Sequence, residues 1–277
     1  MRSAKRNLWL GLLATLVTLT LSSVSAQTSV VFVSDANGNV GRYDTNTNVG
    51  TALGSLTASG FSPGQVIGLA YNSAANQVLI FDRSASKVYA MDATTGVTTV
   101  LFSTGSVSFQ GGAVLNGLVY GVDENAQNLE AYTFSGVIQN LTGPGFTAHV
   151  HSLAVNPITG ELFYHTSNTG VRIVSTGGVE GAVLLSTTLM GNLGSEDIEY
   201  FNGNYLVADY STQLFLVNGT TGANSVFLNS TQLSSMGVDG SLSGVAVQVA
   251  AIPEPGTWVL LLSGVFVVAL AGLRRRR

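Results

Sequence analysis

Three histidines and two neighbouring acids carry the most distinctive chemistry in this chain. His149, His151 and His165 lie close together in sequence, and Glu196-Asp197 follows one repeat later. Neutral imidazole is a common ligand for divalent metals, and an imidazole beside a carboxylate can exchange protons near neutral pH. These five residues are the candidate ligands of a divalent metal if the fold brings them to one place. The competing reading is that they are polar fill in a narrow channel. No glycine-rich phosphate loop, nucleophile elbow, zincin helix or EF-hand loop accompanies them. No catalytic residue is assigned, and no cofactor beyond that metal is expected.

A second set of acids recurs at the ends of short apolar runs. Asp35, Asp82, Asp123 and Asp209 are each followed by a polar turn, such as Ala36-Asn37-Gly38 or Glu124-Asn125-Ala126. An aspartate placed there accepts backbone N–H groups of its own turn. Recurrence in unit after unit therefore points to structure. In the fourth unit the expected residue at this place is His165. Asp44 and Asp92 open later turns in the same manner.

The elements that position these residues repeat. Apolar runs begin near residues 68, 112, 152, 197 and 244, at steps of 44, 40, 45 and 47. Each of the first four is followed by a second strand (Val78 to Phe81, Leu118 to Gly121, Leu162 to Tyr164, Tyr205 to Ala208), then a third and, after a Gly-containing turn, a fourth. Four strands in 40 to 47 residues is the pattern of a β-propeller blade. Residues 29–34, 40–44 and 49–53 match strands two to four with no first strand before them, and 242–248 match a first strand with no others after it. One blade is thus expected to be shared between the two ends, giving an all-β, five-bladed propeller whose closure removes an open sheet edge. Strand one runs away from the end at which strand two finishes, so the three histidines and Glu196-Asp197 should share one face. In layout the units resemble sugar-lactonase and NHL-like propellers. They carry no WD or kelch signature.

Composition agrees. Residues 27–250 form the expected propeller domain. There is no cysteine, so disulfides contribute nothing. Arg42, Arg83, Lys87 and Arg172 are the only basic residues of the body, against fourteen acids, for a net charge near −10. That balance argues against nucleic acid as a partner.

Both ends read as addresses. Arg2, Lys5 and Arg6, the apolar run Leu8 to Leu21 and the small residues Val24-Ser25-Ala26 form a signal peptide over 1–26, recognised by the export machinery. At the other end, Pro253-Glu254-Pro255 precedes an uncharged span at 257–273 and then Arg274, Arg275, Arg276 and Arg277. A 17-residue helix reaches roughly 25 Å, enough for a thin hydrocarbon core, and the arginines would act as a cytoplasmic membrane stop. These three ordered parts, over 251–277, resemble the PEP-CTERM sorting signal of Gram-negative surface proteins. The resemblance implies processing by an exosortase-type membrane protease, and a membrane-anchored intermediate before arrival at the cell surface or outside it. The expected function is that of a surface or matrix protein whose propeller binds an extracellular glycan or protein. The alternative is an extracellular metal-dependent lactonase or lyase.

Overall fold

Turn chemistry divides the chain into strands. Asn116-Gly117 and Asn202-Gly203 both have positive φ at the two positions (52° and 75°, 50° and 80°). This is the backbone of a two-residue hairpin turn that keeps the twist of the flanking strands. The aspartates at strand ends act as expected. Asp35 accepts the N–H groups of Asn37 and Asn39, Asp123 that of Asn125 and Asp209 that of Ser211. Asp82 accepts from Ala85 and also from Gly64 and Gln65 in the preceding loop.

The computed structural model describes residues 29–249 apart from 140, 142–144, 147–148, 167–168, 192 and 194–195. The signal-peptide and sorting-signal segments lie outside these residues. Among the described residues, no helix is long and apolar enough to cross a membrane.

Five four-stranded sheets result. The second blade is β4 (Val66–Asn72), β5 (Gln77–Asp82), β6 (Lys87–Asp92) and β7 (Thr98–Ser103). The third is β8 (Phe109–Leu115), β9 (Leu118–Asp123), β10 (Asn128–Tyr132) and β11 (Ile138–Gln139). The fourth is β12 (Ser152–Asn156), β13 (Glu161–Thr166), β14 (Gly170–Val174) and β15 (Glu180–Leu185). The fifth is β16 (Asp197–Phe201), β17 (Asn204–Ala208), β18 (Leu214–Asn218) and β19 (Asn224–Leu228). The first blade has the order β20-β1-β2-β3, combining β20 (Leu242–Val249) with β1 (Ser29–Asp35), β2 (Asn39–Asp44) and β3 (Val49–Ser55). The expected five-bladed ring closed by both ends is therefore present. Apolar side chains fill the wedges between blades. Phe32, Val40, Leu69 and Ile80 pack between the first and second. Ala154, Phe163, Ile198 and Val207 pack between the fourth and fifth.

Three details depart from the sequence reading. A short helix, α1 (Ser230–Ser235), precedes β20, with a capping box in which Asn229 and Gln232 bond each other's backbone. It is followed by Met236, which lies over Gly41 and Gly50; a Cβ on either glycine would fall 2.8 Å or less from Met236. The fourth strand of blade three is only two residues long. Finally, Thr166, not His165, holds the position of the strand-end aspartates: its Oγ1 accepts Thr169 N–H. His165 lies one residue earlier, so its side chain turns to the other face of the strand.

Candidate functional site

Because β12 is antiparallel to β13 and β16 to β17, the starts of first strands and the ends of second strands lie at the same end of the ring. Loops from four blades meet there. His149 is exposed and His151 half-buried, with ring centroids 5.0 Å apart. Arg83, after β5, forms an ion pair with Glu124, after β9, and Ser108 Oγ lies 3.4 Å from Glu124 Oε2. Glu196 is half-buried beside this group. Burial raises its carboxyl above the usual range; Arg83 and His149 pull it back, and Glu124 adds to the rise. Burial lowers His151, and His149 and Arg83 lower it further, against the opposing pull of Glu124. The face thus gathers Arg83, Glu124, His149, His151 and Glu196, of which the sequence reading named three.

Tyr210 belongs to the same end. It follows β17 in a left-handed backbone conformation, φ 64°, and is 44% exposed. It is the one exposed Phe or Tyr among the described residues. A bulky residue held at positive φ stores strain that the surroundings must hold in place. Here Tyr210 N–H donates to Leu242 O, 3.1 Å, and Leu242 N–H to Ser211 O, 2.8 Å.

The other two predicted ligands lie deeper. Asp197 is fully buried on the axis. Its Oδ2 accepts Leu69 N–H and Val245 N–H, each at 2.9 Å, and its Oδ1 accepts Ile198 N–H at 3.0 Å. One carboxylate therefore ties the innermost strands of blades two, one and five together. His165 is also fully buried, paired in register with Ser152. Burial, with His151 adding to it, holds its imidazole down to about 3, so the ring is neutral. Among the described residues no three His, Asp or Glu side chains are grouped to hold a metal ion.

Glu199 was not anticipated. Two residues beyond Asp197 on β16, it shares that residue's face of the sheet and is buried, with Oε1 accepting Tyr200 N–H at 2.9 Å. Burial pushes its carboxyl up to about 8, and burial likewise raises Asp197 well above its ordinary value. The folded protein therefore keeps a proton on Glu199 that the unfolded chain releases between about pH 4.5 and 8. Its contribution is complete at low pH and is lost as pH rises through that window. His165 acts oppositely: the unfolded chain takes up a proton below about pH 6.5 that the folded chain accepts only near 3, so stability falls as pH drops through that interval. Thermal unfolding followed across pH should show the midpoint falling on both sides. Glu199→Gln should make the alkaline side shallower, leaving the part that Asp197 contributes, and should leave the fall below about pH 4.5 unchanged. A variant with the parent's alkaline slope would remove Glu199 as its source.

No family model and no curated protein matches this chain. Solved structures do. A chain of the nidogen/laminin complex is 13% identical and aligns over 81% of this chain and 100% of its own length, with a TM-score of 0.60. A structural-genomics protein of unknown function from Bacteroides thetaiotaomicron is 18% identical over 62% of this chain and 51% of that one, TM-score 0.47. Virginiamycin B lyase from Staphylococcus aureus is 14% identical over 69% and 63%, TM-score 0.41. At such identities the likeness is one of fold, and the fold this chain shares is the β-propeller.

Proposed function

We propose that this protein is an exported surface or matrix protein whose propeller binds an uncharged extracellular polysaccharide at the face bearing Tyr210, His149 and Glu196. The carrying observation is Tyr210: an exposed aromatic ring on a strained backbone, at the end where histidines, carboxylates and an arginine converge. An aromatic ring offers an apolar platform to the C–H face of a sugar, while carboxylates and imidazoles bond its hydroxyls. A body near −10 repels acidic polymers, which favours a neutral one. The test is binding of the secreted body to an array of polysaccharides. Tyr210→Ala should weaken binding at least about tenfold, worth ~1.4 kcal/mol, with an unchanged thermal midpoint. An array with no bound glycan, or a variant that binds like the parent, sinks the reading.

The alternative, a metal-dependent lactonase or lyase, draws on the contact between His149 and His151 beside Glu196. Stoichiometric divalent metal in the purified body would support it, and trace metal would remove it.

Sorting belongs to the same proposal. Pro253-Glu254-Pro255, the span at 257–273 and Arg274 to Arg277 support processing by an exosortase-type membrane protease. Glu254 is the only charge between Asp239 and Arg274, which makes it the recognition handle. Glu254→Ala should insert normally but stay membrane-bound in a host with the cognate protease. Release at the parent's rate would show that the carboxylate is not read.

A further inference from the structure

Behind the polar face lies a second layer that the binding proposal does not use. Six buried side-chain atoms there have no hydrogen-bond partner among the described residues: Ser34 Oγ, Gln110 Oε1, Ser152 Oγ, Ser243 Oγ and both ring nitrogens of His165. All five residues are at most 4% exposed. They come from blades one, three and four, yet each lies within two residues of the same end of a first or second strand.

Close approaches of the innermost strands place them around one axis. A Cβ on Gly244, next to Ser243, would strike Ser34 Oγ and lie 3.2 Å from the Gly68 carbonyl carbon. One on Gly68 would lie 2.9 Å from Gly111 Cα and 3.5 Å from Asp197 Cγ. One on Gly111, next to Gln110, would lie 3.0 Å from Ser152 Cα, and Ser152 faces His165 in register. Three glycines, one serine and Asp197 thus form the narrow ring, with the orphaned polar atoms distributed about it.

Leaving six buried polar atoms unbonded, at a desolvation penalty of about 1–3 kcal/mol each, would cost as much as the roughly 5–15 kcal/mol that holds a typical domain folded. The chemistry of the set selects what satisfies it. Serine hydroxyls and a neutral imidazole donate and accept, and the amide oxygen accepts. None carries a charge, and the nearby Asp197 carboxylate already accepts three backbone N–H groups. A cation would find no free anionic ligand, and an anion no cationic donor. A small neutral guest that both donates and accepts fits.

We propose that the axis beneath the polar face is a hydration site: ordered water, on the order of two or three molecules at about three bonds each, links Ser34, Gln110, Ser152, Ser243 and His165. His151, whose ring adjoins His149, donates its backbone N–H to His165 O. The hydration site does not depend on what the face binds.

A high-resolution crystal structure of the protein tests it directly. Spherical density within hydrogen-bonding distance of at least two of the six atoms, with water-like occupancy and no anomalous signal, is expected. No density, or an ion identified by anomalous scattering or coordination distances, overturns it. Thermal unfolding of the full chain in detergent gives an independent reading. If the hydroxyls hold water, Ser34→Ala, Ser152→Ala and Ser243→Ala should each lower the midpoint by roughly 2–4 °C. If the axis is dry, removing an unsatisfied hydroxyl should raise the midpoint or leave it unmoved, and that result in all three overturns the proposal.

Discussion

Asp197→Ala is expected to destabilise the propeller by about 2–6 kcal/mol, lowering the thermal midpoint by roughly 10 °C. Two effects oppose each other. Burying the carboxylate is costly, as the raised proton affinity of Asp197 records, so its removal relieves a desolvation penalty. The backbone donors, however, stay. Leu69 N–H and Val245 N–H lie on the axis, both bonded to Asp197 Oδ2, and alanine leaves both buried and unpaired at about 1–3 kcal/mol each. The lost side chain adds a void at the narrowest point of the ring. Donors that no substitution can delete outweigh relief that a neutral acceptor could also provide, so the net sign is destabilising. Asp197→Asn separates the two effects. Its amide oxygen can still accept from Leu69 and Val245, while its NH2 would face Ile198 N–H, so its loss should be well under that of alanine. Chemical denaturation of both variants measures this. An alanine variant within about 1 kcal/mol of the parent would show that the carboxylate is not what joins the blades.

The extent to which this was legible in the sequence follows from the range of each interaction. Strand ends were legible because aspartate turns and Gly-containing turns are local: Asp35 bonds residues two and four positions away. The split blade was legible because a missing strand at one end matches a surplus strand at the other. The role of Asp197 was not, because its partner Leu69 is 128 residues away. In sequence it looks like the second half of an acidic pair with Glu196. Only the ring turns one carboxylate inward to backbone donors and leaves the other on the face. His165 was placed one residue out of register because Thr166 performs the aspartate's role with a hydroxyl, and period-two alternation makes one residue the difference between two faces. Helix α1 had a readable signal, the Asn229 and Gln232 capping box, but six residues are too few for an apolar period. Arg83, Glu124 and Tyr210 sit in turns whose sequences are ordinary for turns, and only the meeting of blades makes them a group.

Removing β20 should abolish folding, a larger effect than that of any single substitution above. In β20, Leu242, Ser243, Val245 and Ala246 are fully buried, and Ala246 belongs to the core between blades one and two. All seven residues of β1, its neighbour in the sheet, are buried as well. A chain ending at residue 241 exposes the inner edge of β1 and opens a wedge of core on the axis. It also removes Val245 N–H, one of the bonds that hold Asp197. An apolar strand edge without its partner is a template for association. The summed loss exceeds the roughly 5–15 kcal/mol that holds a typical domain folded, so the truncated body should be recovered as aggregate. Failure to fold alone would not distinguish closure from the general need for a strand, and a permuted chain does. Ala36 N–H bonds Ser241 O, so the end of β1 meets the start of β20 and the opposite ends of the two strands are also neighbours. Joining residue 249 to residue 29 through a turn of about four residues, and opening the chain between β3 and β4, keeps every blade whole. This permuted body should fold with circular dichroism like the parent's and a comparable midpoint, because the strand order in the closing sheet is unchanged while the chain ends move to a surface loop. A soluble, cooperatively unfolding truncation, or a permuted chain that fails to fold, would show that the ring is held by something other than the pairing of its two terminal strands.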